Sequence, residues 1–290
     1  MYLKSIASAV PPFSYTQADC LNAFEKSPAV GLLRPRSRAL MERILSGDSG
    51  IVARNFCLPE IEPVFDLSAT QLNALFEKEA PKLAAQALEK ALGRANLKAR
   101  DLDALIVCTC TGYLCPGVSS HVAETLGLRP DAFLQDIVGL GCGAAIPTLR
   151  CARGVIAAEP DAIVATVAVE ICSAAFYVDD DPGVLISLCL FGDGASAAIW
   201  SGEGESDQWR VDRFDTVHRP EQREKIRFVN AEGKLRNQLD RAVPEIAAAA
   251  ATLIELGAMP PVISFPSGSP RRKVFALPSH CIKKACHRRA

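Results

Sequence analysis

Short apolar runs recur through the middle of the chain, and they constrain the fold more than any other feature. Residues within a run are apolar at successive positions, as expected of strands that are buried on both faces. Stretches with helical periodicity separate the runs, and this alternation predicts a layered α/β fold with a mainly parallel central sheet. The runs are LDALIVCTCTG (102–112), FLQDIVGLG (133–141), DAIVATVAVEI (161–171) and VLISLCLFGDGASAAIW (184–200).

A long helix is predicted over residues 66–93, where apolar side chains recur at spacings of three and four. Asp66 or Ser68 can cap its start, and Gly93 can end it. Pro81 lies inside this stretch, and we expect it to kink or split the helix because proline cannot donate the backbone hydrogen bond.

Composition excludes several classes of function. The net charge of -1 provides no general attraction to nucleic acid or to an acidic membrane surface, and no apolar run is long enough to span a bilayer. The start, MYLKSIASAVPPFSY, is a better first strand than a signal peptide because two prolines break it. The 11 cysteines show no disulfide framework and no metal-ligand spacing, so we expect a metal-free protein of the reducing cytoplasm.

One cysteine stands at the mouth of a predicted helix, in VGLGCGAAIPTLRCARG (138–154). Pro147 is tolerated only in a first helical turn, which places the helix start near Cys142. The free N–H groups and dipole of a helix N-terminus favour a thiolate, the nucleophilic form of cysteine. The segment therefore suits a nucleophile, although a buried structural cysteine on a glycine-rich turn fits it equally well.

Four segments together resemble the type III polyketide synthases, the chalcone and stilbene synthase family. They are VCTCTGYLCPGVSSHVAETLGLRPD, DIVGLGCGAAIPTLRCARG, VAVEICSAAF and LCLFGDGASAAIW, in this order and spacing. The resemblance implies a thiolase-like αβαβα fold of two similar halves that pairs as a homodimer. It also implies acyl-CoA and malonyl-CoA as substrates, decarboxylative condensation as the reaction, and no metal or redox cofactor.

The resemblance assigns roles to individual residues. Cys142 matches the nucleophile, and Cys115 matches a residue that reaches across the dimer into the partner's cavity. Arg54, in SGIVARNF, matches the entrance that grips CoA phosphates. The matched cavity-lining positions are Cys110 and Thr111 at a strand end, Cys172 and Ala175 in EICSAAF, and Phe191 as the gate between the CoA tunnel and the cavity.

Simpler roles stay open for some of these residues. Phe191 could be ordinary core, and Arg54 could be a solvated surface charge. Asp193 is expected to bond the backbone of its own turn and to do no chemistry. Glu170 is expected to be structural, and His121 to be a surface or core histidine.

The resemblance also implies a histidine and an asparagine that stabilise the thioester oxyanion. The stretch VISFPSGSPRR (262–272) has no histidine where one is expected, and the last asparagine of the chain is Asn237. His280 and His287 lie in a basic tail without matching context. We therefore expect weak condensing activity and an incomplete second half of the fold.

Charge and composition suggest three parts. We predict a thiolase-like half carrying the nucleophile over 1–202 and the start of a second half over 203–261. The remaining 262–290 form an atypical basic tail, foreign or frame-altered, because seven Lys and Arg residues and no Asp or Glu follow Glu255.

Two further functions remain as alternatives. A 3-oxoacyl-(acyl carrier protein) synthase III-like enzyme would share the fold and the cysteine but use an acyl carrier protein. A non-catalytic member would act only as a dimer partner. EICSAAF and GCGAAIPTLR favour the polyketide synthase, whereas the missing histidine and asparagine favour the non-catalytic member.

Overall fold

The computed structural model describes residues 1–256 and 263–264. Its α-helices are α1 (Gln17–Lys26), α2 (Pro35–Ser46), α3 (Ala69–Arg94), α4 (Val118–Leu126), α5 (Ala145–Ala158), α6 (Pro182–Leu190) and α7 (Val243–Leu256). Its strands are β1 (Tyr2–Ala9), β2 (Phe13–Thr16), β3 (Ala53–Phe56), β4 (Ala104–Cys108), β5 (Phe133–Ile137), β6 (Val164–Glu170), β7 (Gly194–Ser201), β8 (Arg210–Val211), β9 (Ile226–Ala231), β10 (Lys234–Leu239) and β11 (Ile263–Ser264).

A seven-stranded sheet in the order β11-β8-β1-β7-β6-β4-β5 forms the centre of the molecule. Among the described strands of this sheet, β4 pairs in parallel with β5 and β6 and the other four pairs are antiparallel, so the expectation of a mainly parallel sheet is wrong. Helices α4 and α5 carry the chain from one end of the sheet to the other, as parallel strands require. The segment between β6 and β7 instead leaves and re-enters at the same end, where Glu170 pairs with Gly194, and β7 therefore runs antiparallel.

Helices cover both faces of this sheet. Along β4, Leu105 and Val107 pack in a cluster with α3 and α4, whereas Ala104, Ile106 and Cys108 pack in a second cluster with α5. All five residues of β4 are buried, which explains why its sequence is continuously apolar.

Helix α3 is continuous through Pro81 and is not split, contrary to one expectation. It begins after Ser68, whose hydroxyl accepts a hydrogen bond from the backbone N–H of Gln71, while the Gln71 side chain accepts one from the backbone N–H of Ser68. Pro81 and the residues around it are buried against the sheet, and this packing outweighs the one lost backbone hydrogen bond.

A third apolar cluster lies beside the sheet and joins α1, α2 and α6. Phe56, at the end of β3, packs edge-on against Phe176 with ring centroids 5.7 Å apart. Strand β8 pairs with β1, although it lies beyond the boundary predicted at residue 202, and β11, within the predicted tail, pairs with β8. The rest of that tail, with His280 and His287, lies outside the described residues.

Candidate active site

Cys142 lies where the chain turns from the carboxyl end of β5 into α5. It occupies a single 3₁₀ turn, Gly141–Gly143, and α5 begins at Ala145. Gly139 and Gly141 have φ angles of +79° and +62°, a left-handed conformation that favours glycine. Pro147 lies in the first turn of α5, which confirms the expected helix start.

A cavity of about 390 Å³ opens beside this cysteine. Six residues singled out from the sequence line it together: Cys142, Cys110, Thr111, Cys172, Ala175 and Phe191. They come from four separate segments, which meet because the ends of β4 and β6 and the turn before α5 lie at one edge of the sheet.

Glu170, at the end of β6, organises the loop that follows β4. Its carboxylate accepts hydrogen bonds from the backbone N–H groups of Cys110, at 3.0 Å, and Thr111, at 3.1 Å. The hydroxyls of Thr109 and Thr111 donate to it as well, at 3.2 and 2.7 Å. Glu170 is structural in this sense, but it also lines the cavity.

The thiol of Cys142 differs electrostatically from its neighbours. A hydrogen bond from the thiol of Cys110 lowers the pKa of Cys142 to about 7, against the opposing effects of burial and of the Glu170 charge. The same hydrogen bond, together with burial, raises the pKa of Cys110, and burial raises the pKa of Cys172. Near neutral pH the thiolate therefore resides on Cys142, which is also an exposed residue.

Asp193 does not bond its own turn, as the sequence suggested; it joins two other segments. Its carboxylate accepts hydrogen bonds from the backbone N–H groups of Cys57 and Ser173, both at 2.8 Å, and from the Ser173 hydroxyl at 2.6 Å. Burial raises the pKa of this carboxyl group. Asp193 thus fixes the loop after β6, on which Cys172 and Ala175 lie.

Arg54 corrects two expectations. Only 6% of the residue is exposed, so it is neither a solvated surface charge nor an open grip for CoA phosphates. Its guanidinium donates to the backbone oxygens of Leu188 and Phe191 and to the side-chain oxygen of Gln17. Strand β3, which carries Arg54, packs in the third apolar cluster through Phe56, and the contacts of Arg54 with the end of α6 bury the charge.

Cys115 and His121 do not line the cavity. Cys115 is exposed and lies two residues after Tyr113, a residue that is 71% exposed. Within residues 1–256 and 263–264, no group of three or more His, Cys, Asp or Glu side chains is arranged to hold a metal ion. No helix in that part of the chain is long and apolar enough to cross a membrane.

Sequence reasoning missed part of the cavity wall. Tyr177, Ser187, Phe228 and Asn237 also line the cavity, and the Asn237 amide donates to the Ser187 hydroxyl. Phe228 and Asn237 belong to the β9–β10 hairpin, in the polar stretch after Trp200. Nothing local in that stretch indicates that it folds back over α6.

Comparison with known proteins gives one consistent family. The sequence profile of the family described as FAE1/Type III polyketide synthase-like protein matches residues 12–249. A 3,5-dihydroxyphenylacetyl-CoA synthase of Streptomyces toyocaensis is 30% identical over 263 residues, covering 87% of this chain and 65% of the relative. A 1,3,6,8-tetrahydroxynaphthalene synthase of Streptomyces griseus is 27% identical over 208 residues, covering 71% and 55%.

Solved structures agree with the sequence comparison. The crystal structure of 1,3,6,8-tetrahydroxynaphthalene synthase from Streptomyces coelicolor A3(2), a bacterial type III polyketide synthase, superposes with a TM-score of 0.74 at 25% identity. The match covers 89% of this chain and 74% of that one. The matches to the two curated relatives cover 65% and 55% of their length, so the chain spans less than two thirds of each.

Proposed function

The chain belongs to the type III polyketide synthase family and has its thiolase-like fold, and from this premise we propose that it is an acyltransferase. In the proposed reaction Cys142 accepts an acyl group from a coenzyme A thioester. Malonyl-CoA then extends this group by decarboxylative condensation. One observation carries the proposal: a thiol with a lowered pKa opens into a cavity lined mostly by apolar side chains.

Loading follows from this geometry. The Cys142 thiolate attacks the thioester carbonyl carbon, a new carbon–sulfur bond forms, and the bond to the CoA sulfur breaks. CoA leaves as a thiolate and takes a proton from solvent. The cavity of about 390 Å³ is in the size range of small-molecule sites, and it can enclose the bound acyl chain.

Extension requires the site to stabilise more negative charge than loading does. Malonyl-CoA loses CO₂, and the resulting enolate carbon attacks the acyl carbonyl while the Cys142 sulfur leaves. Negative charge builds up on thioester oxygens in both steps, and each missing hydrogen-bond donor costs about a hundredfold in rate or more. Among the described residues no histidine lines the cavity, so we propose that extension by this chain is slow relative to loading.

The nature of the product is a further part of the proposal. The two curated relatives are named for hydroxylated aromatic compounds, which carry oxygen at alternate ring carbons as a folded poly-β-keto chain does. We propose a product of this class. The proposed setting is the cytoplasm.

A homodimer is proposed from exposed residues of the loop after β4. Tyr113 and Cys115 are both exposed, and a partner subunit could cover them. Light scattering after size-exclusion chromatography should give about twice the chain mass of 31.0 kDa. A mass equal to one chain at micromolar concentration would contradict this part of the proposal.

Intact-protein mass spectrometry tests the acyltransferase itself. Incubation with acetyl-CoA or hexanoyl-CoA should add one acyl mass to the chain, and Cys142→Ala should abolish the addition. Cys151→Ala is the matched control, because Cys151 lies on α5 but does not line the cavity. Malonyl-CoA is then supplied with and without acyl carrier protein; dependence on the carrier would favour the synthase III-like alternative. Absence of any acyl adduct would favour the non-catalytic dimer partner.

A further inference from the structure

The C-terminal end of α6 forms one wall of the cavity. Ser187, Leu188, Leu190 and Phe191 all line it, and Phe191 caps the helix by donating its backbone N–H to the carbonyl of Ser187 at 3.0 Å. The last carbonyl groups of a helix have no partner within the helix. Their partners therefore decide how firmly this wall is held.

Two buried side chains supply those partners. One guanidinium nitrogen of Arg54, Nη1, donates to the carbonyl of Leu188 at 2.6 Å and to that of Phe191 at 2.9 Å. Gln17 donates from its amide to the carbonyl of Cys189 at 3.0 Å and accepts from Nε of Arg54 at 3.1 Å. Three backbone carbonyls at the end of α6, those of Leu188, Cys189 and Phe191, are thus bound by one connected pair of side chains.

The charge of Arg54 is placed for this task. No carboxylate of the described residues lies within ion-pair distance of it. The negative end of the α6 dipole and the face of the Phe56 ring, 5.2 Å from the guanidinium carbon, surround it instead. A buried cation without a counter-ion is costly unless its hydrogen bonds are satisfied. The contacts therefore stabilise both the guanidinium of Arg54 and the carbonyl groups at the end of α6.

Strand β3 holds the residues after α6 as well. The backbone N–H of Asp193 donates to the carbonyl of Asn55 at 2.8 Å. Gly192 passes so close that an added Cβ would lie 3.2 Å from that carbonyl oxygen and 3.4 Å from Cβ of Arg54. Residues 191–193 are therefore fixed against β3, and two of them, Phe191 and Gly192, also line the cavity.

We propose that Arg54 is a positioning residue of the cavity: through the carbonyls of Leu188 and Phe191 it holds the Phe191 ring in place and so sets the size of group that reaches Cys142. The proposal rests on the proposed use of this cavity by Cys142. It assigns no contact between Arg54 and substrate.

Size-selective alkylation of Cys142 tests this without any condensation. The full chain and its variants are treated with iodoacetamide and, separately, with bulky fluorescein-5-maleimide, and labelling of Cys142 is assigned by peptide fragmentation. In Arg54→Met the ratio of the bulky to the small reagent's rate should rise about fivefold, the factor that the net stabilisation of one hydrogen bond corresponds to. Arg36→Met, at an exposed position of α2, should leave the ratio unchanged.

Two further variants separate positioning from mere stability. Gln17→Leu removes the hydrogen bonds of Gln17 to the Cys189 carbonyl and to Arg54. It should also raise the ratio of the bulky to the small reagent's rate. Arg54→Lys keeps the charge but not the planar fork and should restore the ratio only in part. Each rate is measured well below the melting temperature of that variant.

A lowered melting temperature with an unchanged rate ratio in both Arg54→Met and Gln17→Leu would overturn the proposal. Failure of the proposed function is recognised separately, because it is the absence of an acyl adduct on unmodified Cys142, whereas the alkylation ratio needs no acyl transfer.

Discussion

The central sheet and the β9–β10 hairpin both line the cavity, but different interactions hold them in place. Every residue of β4 is buried, and the sheet is covered by helices on both faces. No residue of β9 or β10 is buried. The hairpin is attached through polar contacts: Arg236 pairs with Asp179 at 2.6 Å and Asp181 at 3.2 Å, and Asn237 bonds Ser187.

The central sheet therefore determines the stability of the fold, and the hairpin determines the shape of the cavity. Hydrophobic burial stabilises the sheet and makes it the cooperative core, whereas partly exposed ion pairs are worth little each. The sheet edge therefore fixes the reacting thiol, and the hairpin fixes only how far the cavity is closed. We expect the hairpin to open locally at a small fraction of the free energy of global unfolding.

The largest expected effect contrasts two leucines. Leu105 in β4 has no exposed surface, and Leu105→Ala should lower the free energy of unfolding by about 2–5 kcal/mol because it leaves a cavity in the core. Leu235→Ala in β10, where the side chain is half-buried, should cost about 1 kcal/mol. Urea unfolding followed by circular dichroism measures both, and equal losses would contradict the proposed division.

The second effect concerns the reactivity that the sheet edge confers on Cys142. Cys110→Ala removes the hydrogen bond to the Cys142 thiolate, so the pKa of Cys142 should rise from about 7 to the ordinary thiol value of about 8.5 or above. Since only the thiolate is alkylated, the pH midpoint of iodoacetamide labelling should move upward by the same amount. Cys110→Ser should keep part of the effect.

The hairpin supplies the control for this measurement. Arg236→Met alters β10 but no group that contacts Cys142, and the pH midpoint should stay near 7. A midpoint that moved equally in Arg236→Met and Cys110→Ala would show that the hairpin, and not Cys110, governs the thiolate.

The smallest effect tests the attachment of the hairpin itself. Arg236→Met removes both ion pairs with Asp179 and Asp181 and should lower the free energy of unfolding by at most about 1 kcal/mol. Hydrogen exchange should nevertheless quicken at β9 and β10 while β4 and β6 stay protected. Arg227→Met, in β9, removes an exposed ion pair with Glu224. It should leave the hydrogen-exchange rates of the hairpin and of the central sheet unchanged.

Local rules predicted much of the fold. Three of the four apolar runs became β4, β5 and β6 with small changes at their ends, whereas the fourth divided into helix α6 and strand β7. These features depend on neighbours in sequence. The direction of β7 could not be read in this way, because it depends on where the chain returns to the sheet after α6.

Arg54 shows the same limit within the site. From the sequence alone Arg54 is a charged residue, and a solvent-exposed position is the natural expectation for it. Its burial is possible only because α6, more than 130 residues later, brings free carbonyl groups to it. Asn237 is the counterpart: a polar residue of a polar hairpin that becomes part of the cavity wall once β10 folds over α6.

The amino-acid sequence alone determined the α/β character, the position of Cys142 before a helix, and the family to which the chain belongs, since each follows from local motifs and their order along the chain. Tertiary structure alone decided which groups meet Cys142, because Cys110, Glu170 and Phe191 come from separate segments that only the packed sheet brings to one edge. Covalent neighbours set local conformation, whereas the electrostatic surroundings of a thiol depend on what folding places beside it.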